Sequence, residues 1–91
     1  MRYFKNINYN PPYPTQVQIG EFDPLDEEYQ ESADTLYCPV WEWSEDPETD
    51  DIIPGSKNHD WVSVNYDFVH DRPTGVEEIT QEEFDRLSDR V

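Results

Sequence analysis

The sequence predicts an α+β fold: a small, mostly antiparallel sheet of about four strands, with a C-terminal helix packed on it. Three observations predict it. Four stretches carry the two-residue alternation of apolar and polar side chains that a half-buried strand needs. The last stretch switches to helical spacing behind a capping signal. And 91 residues supply one core only, so the chain is a single domain over 1–91, and sequential strands are expected to pair.

Residues 2–9, "RYFKNINY", alternate: Tyr3, Lys5, Ile7 and Tyr9 point one way, Arg2, Phe4, Asn6 and Asn8 the other. This is the first strand, and the prolines of "NPPYP" end it because they cannot feed a ladder. Residues 15–22, "TQVQIGEF", form the second, with Val17 and Ile19 on one face. Residues 23–34 read as a short helix or an ordered loop. Asp23 and Pro24 suit a helix start, and Leu25, Tyr29 and Ala33 make a stripe, but the apolar content is thin.

"TLYCPVWEW", 35–43, is the third strand, and Pro39 places it at a sheet edge or on a bulge. Residues 44–60 read as a long acidic loop. "DWVSVNYDFVH", 60–70, is the clearest strand: Val62, Val64, Tyr66 and Phe68 alternate with Ser63, Asn65 and Asp67. "DRPTG" then turns the chain. In the terminal helix Thr80 and Glu83 form a capping box, and Ile79 with Phe84 forms a staple. Phe84, Leu87 and Val91 share a face, which must dock because so short a helix is marginal alone.

Composition narrows the function classes. The apolar fraction is 34%, low for a globular chain, but aromatics reach 14%, which argues for a folded core rather than disorder. Twenty-two acids face six bases, for a formal charge of −16. Such a surface repels nucleic acid and anionic membrane, so direct binding to either is not expected. No stretch is apolar enough for a signal peptide or a membrane span, which points to the cytosol. Cys38 stands alone, which excludes an internal disulfide and a Cys-rich zinc site.

Phosphate loops, dinucleotide fingerprints and nucleophile elbows are absent, so neither enzyme activity nor a cofactor is expected. His59 and His70 each precede an aspartate, but without metal-site spacing they read as surface hydrogen-bonding pairs. No metal is expected.

The acidic band is the functional signal. No Lys or Arg falls between Lys5 and Lys57, while residues 21–51 carry thirteen acids. On strands or helices such acids stand at spacings of the same order as polynucleotide phosphates. The candidate partner-binding set is Glu27, Glu28, Glu31, Trp41, Glu42, Trp43, Glu45, Asp46, Glu48, Asp50 and Asp51. Tryptophan is enriched in binding hot spots and its ring attracts Arg and Lys, so Trp41 and Trp43 read as interface or as core. Trp61, at the start of the main strand, reads as core.

In size, charge, low Cys content and the acidic display "WEWSEDPETDD", the chain resembles the small acidic inhibitors made by bacteriophages and mobile elements, among them DNA mimics, anti-restriction and anti-CRISPR proteins. "GVEEITQEEFDRL" is similar to the closing segment of many small phage proteins. The resemblance implies a basic, nucleic-acid-binding host protein as partner, blocked at its nucleic-acid groove. It carries no role for any single residue. The alternative is an acidic module for a basic partner, such as a polymerase subunit or assembly factor, away from its DNA site. A modest core also leaves room for homodimerisation.

Overall fold

A computed structural model, which describes residues 1–90, places seven strands and one short helix: β1 (Arg2–Asn8), β2 (Thr15–Phe22), β3 (Gln30–Ser32), β4 (Thr35–Glu45), β5 (Asn58–Asp67), β6 (Arg72–Pro73), β7 (Glu77–Ile79) and α1 (Gln81–Ser88). All pairings are antiparallel, in the order β6-β5-β4-β2-β1-β7, with β3 added beside β4. The two ends of that order, β6 and β7, lie side by side, so the sheet rolls into a nearly closed barrel.

The expected α+β fold of about four strands with a packed helix is corrected to a mostly-β, barrel-like one. The four long strands stand close to their expected positions. The other three, β3, β6 and β7, are two or three residues long, too short for alternation to register. They form because a long strand supplies the pairing partner.

Rolling gives the sheet two different faces. Phe4, Phe22, Leu36, Cys38, Val40, Val64 and Tyr66 fill the inside. Gly20 is required there: a Cβ at this position would collide with the Phe4 ring and press on Val40. Towards the other end of the same face the residues turn polar, and Gln18 donates to Glu42 at 2.8 Å while Ser44 donates to Gln16 at 3.1 Å. The outer face carries Val17, Ile19, Trp43 and Ile79, closed by Phe84 of α1.

Half of the expected capping box forms: the Glu83 N–H donates to Thr80 Oγ1 at 3.1 Å, while the Glu83 carboxylate accepts from Lys5 at 2.6 Å instead of reaching back to the cap. Phe84 meets Tyr3 at 4.4 Å between ring centroids and Trp41 at 5.8 Å. Val91, the expected end of the helical stripe, lies outside the described residues.

Residues 23–29 form turns rather than a helix. Asp23 Oδ1 accepts from the Leu25 N–H at 3.0 Å, and Asp26 Oδ1 from the Glu28 N–H at 2.9 Å. Short acidic side chains that satisfy nearby amides compete with helical bonding. Of the supposed stripe only Tyr29 is buried, while Leu25 is 90% exposed.

Pro39 lies in β4, the central strand, and not at an edge. The Tyr37 N–H donates to Tyr29 O at 2.7 Å, so residues of this parity face the β2/β3 side. Pairing with β2 stops at Val40 and pairing with β3 stops at Leu36. Pro39 therefore fills the gap between two neighbours, where no N–H is required.

Arg2 closes the seam of the barrel. Its Nε and Nη2 bond both oxygens of Glu78 at 2.9 and 2.8 Å. Nη1 reaches Tyr66 Oη at 3.0 Å and Asp71 Oδ1 at 2.8 Å, and Nη2 also reaches the Asp71 carbonyl at 2.8 Å. All five donors of one guanidinium thus tie β1 to β7 and to the far end of β5. The Tyr66 hydroxyl donates in turn to Asp71. That bond and the one from Arg2 hold the Asp71 carboxyl below its usual range. Burial pushes the Tyr66 phenol up to about 12.

Cys38 is fully buried, and burial pushes its thiol up to about 12. Iodoacetamide at pH 8 should leave Cys38 unmodified in the native protein and alkylate it fully in urea, read by intact mass. Rapid alkylation without denaturant would contradict this packing.

Candidate functional site

The acidic band folds into two turns rather than one row. The first holds Asp23, Asp26, Glu27 and Glu28 and runs into Glu31 on β3 and Asp34. The second, after β4, holds Asp46, Glu48, Asp50 and Asp51. It is tied by its own backbone: the Asp50 N–H donates to Asp46 O and the Asp46 N–H to Asp51 O, both at 2.8 Å. Asp46 Oδ1 also accepts from the Glu48 N–H at 2.9 Å, and Asp50 adopts a left-handed φ of 61°. The expected 44–60 loop is therefore shorter, because β4 runs on to Glu45 and β5 starts at Asn58.

The second turn follows the end of β4, whereas the first lies beside its middle: Tyr29 O, at the close of the first turn, accepts from the Tyr37 N–H, and β2, which leads into it, pairs with β4 as far as Gly20 opposite Val40. The eight residue steps from Cys38, level with Glu28, to Asp46 place them about 26 Å apart along the strand, at roughly 3.3 Å per residue.

Three positive side chains, Arg2, Lys5 and Arg86, pair away from both turns, while Arg90 stands against the second, where its Nη2 donates to the Asp50 carbonyl at 2.7 Å. Arg2 pairs with Asp71 and Glu78, and Lys5 pairs with Glu83 at 2.6 Å and Glu77 at 3.6 Å. Arg86 pairs with Glu82, and Arg90 with Glu45. The hydrogen bond to Glu83 is the main cause that raises the Lys5 ammonium above its ordinary range. Among the described residues, no acid in either turn has a Lys or Arg ion pair. Negative potential is thus concentrated at the two turns, while the seam and helix are locally neutralised.

Four of the expected site residues take other roles. Trp43 is core, 1% exposed. Its indole N–H donates to Glu45 Oε2 at 2.7 Å, and Arg90 Nη1 reaches the same oxygen at 2.9 Å. Glu45 is itself buried, so it serves the fold and is no part of a display surface. Trp41 is half-buried, edge-on to Phe84 and stacked on His59 at 4.6 Å. Glu42 is half-buried and spent on Gln18. Glu27, Glu28, Glu31, Asp46, Glu48, Asp50 and Asp51 are exposed.

Trp61, expected in the core, is instead 42% exposed, beside Tyr37 at 43% and 5.6 Å between ring centroids. The signal was in the alternation. Val62, Val64 and Tyr66 point inward, so Trp61, Ser63 and Asn65 must point outward. The core covers the face of Val64 and Tyr66, which leaves Trp61 on the open one.

The histidines do not bond the aspartates that follow them. His59 stacks on Trp41, and His70 Nδ1 meets Asp67 at 2.7 Å. That hydrogen bond holds the Asp67 carboxyl below its ordinary range. Among the described residues, no group of three or more His, Cys, Asp and Glu is placed to hold a metal ion, and no helix is long and apolar enough to cross a membrane.

Compared with family models, curated proteins and solved structures, the chain finds no match.

Proposed function

We propose that the protein is an inhibitor that binds the nucleic-acid groove of a basic host defence or DNA-processing protein in the host cytoplasm, by presenting carboxylates where phosphates would lie. It acts by occupancy and not by catalysis. One observation carries the reading: two carboxylate turns without side-chain ion pairs stand about 26 Å apart along β4, at roughly 3.3 Å per residue, within the span of one 34–36 Å duplex turn. A groove that contacts phosphates along one turn would meet both clusters. The net charge of −16 would steer the encounter.

The alternative, a basic partner engaged away from its nucleic-acid site, is favoured by the exposed Trp61–Tyr37 pair, which mimics no phosphate.

The test begins with proteins held from host lysate at low salt and released at high salt. For such a target, duplex DNA should displace the protein in competition. Reversal of Glu27, Glu28, Glu48 and Asp51 to Lys halves the net charge and leaves Glu45, Asp46 and Asp50 to hold the fold. Affinity should fall by about 100-fold or more, with a shallower salt dependence and unchanged circular dichroism. A target that binds DNA and this protein together, or that retains the reversed variant, overturns the reading.

A further inference from the structure

β5 has one paired edge and one largely open edge. Towards β4 it is paired from Asn58 to Asn65. On its other side β6 covers only Tyr66 and Asp67. The Thr74 N–H donates to Asn65 O from that open side, while the Tyr66 N–H turns back to Asp34 O. Alternation therefore turns the backbone groups of His59, Trp61 and Ser63 outward. An edge of this kind is a template for another strand.

Two features give the edge a preference. The Trp61 N–H, central among the outward groups, donates to Asp60 Oδ1 at 2.8 Å. Asp60 thereby blocks the position at which a neutral strand would place a carbonyl. Beside it lie the exposed rings of Trp61 and Tyr37, and Glu31, whose carboxylate accepts from Ser63 Oγ at 2.8 Å. A guanidinium at the edge would find the Asp60 carboxylate, and on the outward face the two rings and Glu31 offer further contacts to a cationic segment. By engaging Asp60 it would also release the Trp61 N–H for main-chain pairing.

We propose that the β5 edge from His59 to Ser63 docks an extended, arginine-bearing segment of the partner by strand addition, with Asp60 acting as a guard that a cation removes. A second copy of this chain is a poor occupant. Its edge would bring another −16 and a second Asp60 against the first. The inference rests on the partner being basic, as proposed above, but uses neither carboxylate turn.

A short alternating Arg-Thr peptide, capped at both ends, is the probe. It should bind the full chain and slow hydrogen exchange at the amides of His59 and Ser63. N-methylation of its alternate residues keeps the charge, removes main-chain donors and should weaken binding by about tenfold or more. A Glu-Thr peptide should not bind. Trp61→Ala should weaken the Arg-Thr complex, and Asp60→Asn should narrow the preference for Arg-Thr over a Ser-Thr peptide. Equal binding of the N-methylated peptide, protection confined to the two acidic turns, or a peptide-free dimer in sedimentation with protected His59 and Ser63 would each overturn the proposal. Failure here alongside displacement by duplex DNA would leave the groove-binding reading standing.

Discussion

Gly20→Val is expected to lower stability by about 3 kcal/mol or more. Gly20 sits on the inner face of β2 opposite Phe4, which is fully buried, and a Cβ there would run into the Phe4 ring and approach Val40 to 3.0 Å. Phe4 has nowhere to go, since Phe22 lies at 6.2 Å on one side and the rest of the core fills the other. Overpacking of a tight core costs about 1–3 kcal/mol, and a branched side chain between two paired strands belongs at or above the top of that range. A domain of this size has roughly 5–14 kcal/mol in total. Urea denaturation followed by circular dichroism checks the loss. Phe4→Leu in the Gly20→Val background should recover part of it, because the smaller side chain vacates the contested space. A Gly20→Val protein as stable as the parent would show that the two strands do not approach as described.

Glu45→Ala is expected to lower stability by about 2–3 kcal/mol, although the residue belongs to the band that the sequence marks as a display surface. The substitution removes the acceptor of the Trp43 indole N–H and leaves that N–H inside a residue only 1% exposed. It also strands the Arg90 guanidinium, whose other contact is the Asp50 carbonyl at 2.7 Å. Glu45→Gln keeps an acceptor for the indole and should cost distinctly less, and Glu45→Lys should cost most, because it buries a cation beside Arg90. Arg90→Ala separates the two contributions: the indole bond survives and only the partly exposed pair is lost, worth about 1 kcal/mol or less. Urea midpoints should rank Gln, then Ala, then Lys in order of growing loss. Equal midpoints for Glu45→Ala and the parent would return Glu45 to the surface set.

The acidic band shows how far a sequence carries a site. Thirteen acids between residues 21 and 51 read as one continuous row because the chain lists them in one run. The fold leaves one group beside the middle of β4, sends the other past its far end and buries the acid that ends the strand. No local rule reveals this, since a carboxylate's exposure depends on what lies across the strand. For Glu45 that neighbour is Arg90, 45 residues away. The Arg2 seam is of the same kind, with partners 64 to 76 residues off.

The tryptophans divide along the same line. The sequence by itself determined the parity of each strand, the limits of β1 and β2 to within a residue, the Thr80 cap and the excess of negative charge, because these depend on neighbours in the chain. Parity put Trp41 and Trp43 on one side of their strand and Trp61 opposite Val62. Only the tertiary structure decided which side is dry. The sheet rolled around Phe4 and Leu36, the helix settled over Trp43, and Trp61 was left beyond its reach. The physical reason is that alternation distinguishes two faces but does not rank them. Burial belongs to whichever face another element covers, and a helix only eight residues long covers one end of it.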